Sequence, residues 1–115
     1  MRTASEIAEI CHEANRALTR HTRDVPLQPP WHEAPFEMIE SSIAGVKWRL
    51  GNLDAPASAQ HDEWVRSKAA AGWTIGPKKD AALKEHPAMV PYEQLPDDVK
   101  QKDALFTAIV RALSR

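Results

Sequence analysis

Residues 72–95 read GWTIGPKKDAALKEHPAMVPYEQL. Gly72, Gly76, Pro77, Pro87 and Pro91 interrupt any helical or sheet ladder here, because each proline fixes φ and lacks an N–H donor. A segment of this kind has to be held by its side chains. Trp73, Ile75, Leu83, Met89, Val90 and Tyr92 are its apolar anchors, which leaves Lys78, Lys79, Asp80, Lys84, Glu85 and His86 to face water or a ligand. Asp80 can cap one short helix over AALKEH, residues 81–86, which must end before Pro87. The expectation is a binding loop, with the remaining chain forming helices packed against it.

Working outward, residues 58–71 place His61, Trp64, Val65 and Lys68 on one helical face, with Ser58 or Asp54 as the cap and Gly72 as the stop. After the loop, Pro96, Asp97 and Asp98 open a last helix, where carboxylates suit the positive end of the dipole. Val99, Lys102, Leu105, Phe106, Ile109, Val110 and Leu113 form its inward stripe. Farther upstream, Pro35 fits the first turn of a helix over residues 35–50. Its buried stripe is Phe36, Ile39, Ile43, Val46 and Leu50, with Gly51 as C-cap and Trp48 off the stripe.

Residues 4–20 repeat Ile7, Ile10, Cys11, Ala14, Ala17 and Leu18 at the spacing of one helical face, so an amphipathic helix is predicted. His12, Asn15, Arg16 and Thr19 line its other side, as a solvated face or as the polar wall of a cleft. Between these two helices Pro26, Pro29 and Pro30 hold residues 21–35 extended. Trp31, after that stiff run, is a core plug or a stacking platform at a pocket edge. The fold class is therefore all-α: four main helices plus a short one, packed as two helix pairs around two proline-rich connections, with little or no β. Each half has a helix, a proline-rich connection, an aromatic, and a proline four residues later, Trp31 with Pro35 and Tyr92 with Pro96. Residues 4–51 read as a degenerate copy of the second half, in a pseudo-two-fold arrangement that brings both connections to one crevice.

The centrepiece also carries a family pattern. Gly72-Trp73-x-x-Gly76-x-x-x-Asp80, followed by Lys84-x-His86-Pro87-x-x-x-Pro91-Tyr92-x-x-Leu95, resembles the RyR repeat, first described in ryanodine receptor calcium channels. Ile75 stands where the repeat usually has an aromatic and Ala88 where it often has cysteine. The resemblance covers residues 58–113, and the N-terminal half looks like that of small stand-alone bacterial or phage members. It implies a largely helical interaction or ligand-binding module, and it does not imply a channel.

A chain of 115 residues allows a single domain over residues 1–115 with one core, burying about two-thirds of its unfolded surface. The 43% hydrophobic and 27% charged content match a globular protein. No apolar run approaches the roughly 20 residues of a membrane span, and the N-terminus lacks the pattern of a signal peptide. With Cys11 as the only cysteine there is no intrachain disulfide. A cytoplasmic location without membrane association is expected. Fifteen Lys plus Arg against 16 Asp plus Glu lack the basic excess of a protein that binds a nucleic acid polymer.

No two of the five histidines sit at helical chelate spacing, so neither a metal nor a cofactor is expected. Cys11 lies on an apolar stripe, where a thiol is inert. The serines lack a strained-turn context. Gly76-Pro77-Lys78-Lys79-Asp80 is not a P-loop, yet two lysines beside a helix start make an anion site, unless they are merely solvated. His86 either caps carbonyls of the preceding turn or serves a ligand; for catalysis it would need a nucleophile or carboxylate that the sequence does not identify.

The expected function is a non-enzymatic module that binds a small anionic ligand, a nucleotide or nucleotide-derived signal, in the crevice. Trp31, Trp73 and Tyr92 would stack on it, Arg16, Lys78 and Lys79 would meet phosphate, and His12, Asn15, Asp80 and His86 would orient it. Two alternatives stand beside this: an adaptor that takes a protein partner or self-associates through exposed Trp48 and Trp64, and a nucleotide-processing enzyme.

Overall fold

Helix α1, Ala4–Thr19, starts where Thr3 and Glu6 close a reciprocal capping box. The Thr3 hydroxyl accepts the Glu6 N–H at 3.1 Å and the Glu6 carboxylate accepts the Thr3 N–H at 3.0 Å. The structure is a computed structural model that describes residues 2–20 and 27–115. The part of the first proline connection that includes Pro26 lies outside the described residues. Three further helices follow: α2, Phe36–Leu50, α3, Ala57–Ala70, and α4, Asp97–Leu113. Each begins directly after a proline at its N-cap, Pro35, Pro56 or Pro96, with no side-chain cap. Ser58 and Asp54 thus do not cap α3, because helix starts immediately after Pro56 and Ser58 already lies within its first turn.

The core is built by α1, α2 and α4. Ile7, Val46 and Val110, one from each helix, are 1%, 0% and 0% exposed, and Ala8 and Cys11 complete the cluster. Each such aliphatic side chain contributes roughly 1.5–3 kcal/mol on burial. Trp31, Ile43, Leu50, Phe106, Ile109 and Leu113 pack around it, so Trp31 is a core plug.

Residues 72–91 supply nothing to this core; of the four helices, α3 packs against them, through Trp64 on His86 and His61 on Val90 O. Ile75 and Leu83, expected as anchors, are 58% and 66% exposed. Trp73, Met89, Val90 and Tyr92 are half-buried as anchors, and backbone pairing adds to their hold. Two short parallel strands, β1 at Thr74–Ile75 and β2 at Glu85–His86, pair Thr74 with Glu85 and Ile75 with His86. Asp80 and Glu85 exchange both backbone hydrogen bonds at 2.9 and 3.0 Å. The Asp80 carboxylate does accept the N–H groups of Ala82 and Leu83. The chain nevertheless leaves helical geometry at Lys84, φ 54, so residues 81–84 form turns and not the short helix.

Helix α3 stops at Gly72, φ 91, where Trp73 N–H reaches Lys68 O and Gly72 N–H reaches Ala69 O, a Schellman closure. α3 lies beside the core, touching α2, α4 and the turn at Tyr92.

The two proline connections repeat each other's backbone. Single 3₁₀ turns occupy Trp31–Glu33 and Tyr92–Gln94. Pro30 and Pro91 precede them at φ −55, ψ 153 and φ −55, ψ 146. Ala34 N–H returns to Trp31 O at 3.1 Å as Leu95 N–H returns to Tyr92 O at 3.0 Å.

Candidate functional site

Pro87 keeps the chain extended at β2 and so fixes where His86 projects. His86 Nδ1 accepts the Ala88 N–H at 3.0 Å, which places the proton of the neutral ring on Nε2. The local capping role is therefore real, though the partner is an amide ahead and not a carbonyl behind. Burial pushes the His86 pKa down to about 4, and the positive charges of Lys79, Lys68, His61 and Lys102 add to it. At neutral pH the ring is an uncharged donor.

His86 belongs to a run of rings along the seam between α3 and the loop. Trp64 meets it edge to face at 4.9 Å, and the Trp73 ring lies tilted to it at 6.5 Å. Trp64 in turn stacks on His61 at 5.6 Å, and His61 leans on Tyr92 at 6.2 Å. His61 donates its Nε2–H to Val90 O at 2.7 Å, as His12 donates to Pro29 O at 2.7 Å in the first half. Lys68 sits over Trp73 and Lys100 over Tyr92, 4.7 and 5.2 Å from the centroids.

His61, Trp64 and His86 of this seam line a cavity of about 740 Å³, large enough for a small organic ligand. Further lining comes from His12 and Asn15 of α1, from Glu63 of α3, and from Asp98, Lys102, Asp103 and Phe106 of α4. Lys78, Lys79 and Lys102 have no carboxylate within ion-pair distance among the described residues, whose ion pairs are Arg16–Glu13 and Arg66–Glu63. Desolvation pushes the Lys79 and Lys68 pKa values down, and like charge from Lys79 adds to the shift at Lys68. Burial pushes the Asp103 carboxyl up, while His61 and Lys102 pull it back. Cys11, which also lines the cavity, is pushed up to about 11 by burial and is a thiol at neutral pH.

Of the residues expected in the site, His12, Asn15, Lys78, Lys79 and His86 line the cavity. The other five do not, and each has a structural reason. Arg16 is bound to Glu13 at 2.6 Å and donates to Gln28 O at 2.9 Å. Glu13 also accepts the Trp31 N–H, so this pair locks the first proline connection. That amide bond, then Arg16, holds the Glu13 carboxyl below its usual range. Trp31 packs on the core and meets His12 edge to face at 5.6 Å. Asp80 is consumed by its turn, and Trp73 and Tyr92 reach the cavity only through the rings of His86 and His61.

Sequence reasoning missed His61, Trp64, Lys102 and Asp103. The signals were present: His61, Trp64 and Lys68 share one face of α3, and Lys102 interrupts an otherwise apolar stripe of α4. Trp48 and Trp64, expected as exposed partner anchors, are half-buried and line the cavity.

The family model of the RyR domain matches residues 45–113. The matched part runs from the end of α2 through α3, the paired loop and α4, so it holds the ring seam and the lysines but not the α1 lining. Spanning the larger part of the 115 residues, the match makes the chain a member of the RyR domain family.

Proposed function

We propose that this RyR domain is a non-enzymatic binding module that holds a small anionic ligand of the nucleotide class in the central cavity. The observation that carries the reading is the convergence of Lys78, Lys79 and Lys102, none paired with a carboxylate among the described residues, on a cavity walled by Trp64 and His86. Cations beside aromatic rings suit a phosphate joined to a heterocycle. The neutral His86 Nε2–H adds an oriented donor that needs no proton uptake to serve an anion. Cytoplasmic residence belongs to the same proposal; the described residues contain no helix long and apolar enough to cross a membrane.

A thermal-shift screen against mono-, di- and cyclic nucleotides, nicotinamide cofactors and ADP-ribose derivatives tests it. Ligand at a hundredfold excess over Kd adds about 2.7 kcal/mol, a rise of roughly 10 °C for a domain of this size. The rise should vanish in a Lys79→Ala, Lys102→Ala double variant. A flat response across the panel would favour the adaptor reading, for which exposed Ile75 and Leu83 offer an apolar contact.

A further inference from the structure

Three carboxylates line the cavity beside the lysines, those of Glu63, Asp98 and Asp103. Glu63 is taken by Arg66, and Asp98 is exposed in the first turn of α4, where the helix dipole accounts for it. Asp103 is different. It sits in the middle of α4, half-buried, and its carboxylate has neither an ion-pair nor a hydrogen-bond partner among the described residues. Its oxygens are not among the unpartnered atoms that are sealed from solvent, so a molecule in the cavity can touch them. Lys79 and Lys68, the strongest charges acting on His86, do not bear on Asp103, which feels His61 and Lys102 instead. Lys79 and the Asp103 carboxylate therefore occupy separate parts of the cavity. Trp64 of α3 and Phe106, one turn beyond Asp103 on α4, add ring surface to it. An ionised carboxylate accepts through two oxygens and donates nothing. Held half-buried without a donor, it gains most from a ligand that brings two N–H groups side by side.

We infer that Asp103 reads the base of the ligand by accepting two adjacent N–H donors, so that a guanine nucleotide binds in preference to an adenine nucleotide. This rests on the nucleotide reading above. Guanine presents its N1–H and its 2-amino group on one edge, at the spacing that a carboxylate accepts with both oxygens. Adenine presents a lone pair at N1, which sets acceptor against acceptor and leaves the carboxylate unpaired, the situation in which a polar site discriminates most strongly. Like charge keeps the phosphate away from Asp103 and directs it to Lys79 and the His86 Nε2–H.

Isothermal titration of the full chain with GMP, AMP and XMP reads the preference directly. GMP should bind about tenfold tighter than AMP. Asp103→Asn keeps the shape of the side chain and exchanges one acceptor for a donor, which should bring GMP to within about twofold of AMP. The same variant should bind XMP, whose ring oxygen accepts where guanine donates, about tenfold tighter than the wild type does. That gain is a readout that loss of folding cannot imitate. GMP no tighter than AMP, a preference unchanged in Asp103→Asn, or no gain for XMP overturns the role of Asp103; binding that is still lost in the Lys79→Ala, Lys102→Ala double variant then leaves the nucleotide reading standing. Failure of all three to bind overturns the nucleotide reading and the role of Asp103 with it.

Discussion

Trp64 meets the imidazole of His86 edge to face, with ring centroids 4.9 Å apart, while its other neighbour His61 stacks on it at 5.6 Å. Trp64 couples α3 to the β2 strand, and His61, one turn before it on the same helix, meets the turn at Tyr92. The coupling matters because α3 supplies no residue to the core of Ile7, Val46 and Val110. Trp64→Ala should therefore cost about 2 kcal/mol, less than a fully buried tryptophan because the ring is only half-buried. The melting midpoint should fall by roughly 8 °C, and Trp64→Phe should recover about half of that. A loss below about 0.5 kcal/mol in denaturant unfolding would mean that the ring run does not hold α3.

Acid should weaken the fold through His86. Its folded pKa, about 4, lies below the ordinary value of 6.5. Between these values the unfolded chain binds a proton that the folded chain does not. This contribution is therefore complete above pH 6.5 and is lost as pH drops toward 4, and because the ring is only partly buried solvent screening holds the loss to about 1–2 kcal/mol. Asp103, whose pKa is raised by burial, works in the opposite direction, so the comparison has to be with His86→Gln, which retains that carboxyl. Urea midpoints at pH 7 and pH 5 should drop more in the wild type than in the variant. Parallel pH profiles would show that His86 protonates freely in the fold.

The helices were legible because their signals are local. Apolar period and flanking prolines place α1 to α4 within a residue or so, and the repeated spacing of Trp31 to Pro35 and Tyr92 to Pro96 marks two turns that share their backbone geometry. The loop was less legible because its decisive features are not compositional. Nothing in the residue types announces a two-residue parallel pairing or a positive φ at Lys84, and these leave Ile75 and Leu83 exposed. The site was half legible for a related reason. His86, Lys78 and Lys79 stand out in a stretch already read as a loop, whereas Trp64 and Lys102 enter only once α3 and α4 are brought to the same cavity.

Two glycines should respond in opposite ways to the same substitution. A Cβ on Gly76 would lie 2.5 Å from Glu85 Cβ, just past the end of β1, where the Gly76 N–H reaches His86 O and Glu85 is held in the β1–β2 pairing. Gly76→Ala should cost about 1–3 kcal/mol by overpacking. On Gly45, inside α2, the nearest atoms would be Phe106 Cζ at 3.8 Å and Gln60 Nε2 at 3.9 Å, ordinary contact distances. Gly45→Ala should stabilise by about 0.5–1 kcal/mol, because alanine loses less backbone entropy in a helix. Chemical denaturation of the pair checks both signs.

Arg49 and Arg111 both latch the connection between α2 and α3, from the inside and from the surface. Arg49 is fully buried, 0% exposed, and donates to Asn52 O, Ala55 O and the Gln60 side chain, with no carboxylate in ion-pair distance among the described residues. Burial and the positive Arg111 lower its pKa, and its Nη2 has no partner. Arg111 is exposed and donates to Leu53 O at 2.7 Å. Arg49→Met keeps much of the volume but strips donors from two carbonyls and Gln60, and should cost about 2–4 kcal/mol. Arg111→Ala leaves a carbonyl that water can reach and should cost under about 1 kcal/mol. Urea unfolding of the two variants decides the matter: equal losses would mean that the buried guanidinium stabilises the fold no more than a surface contact does.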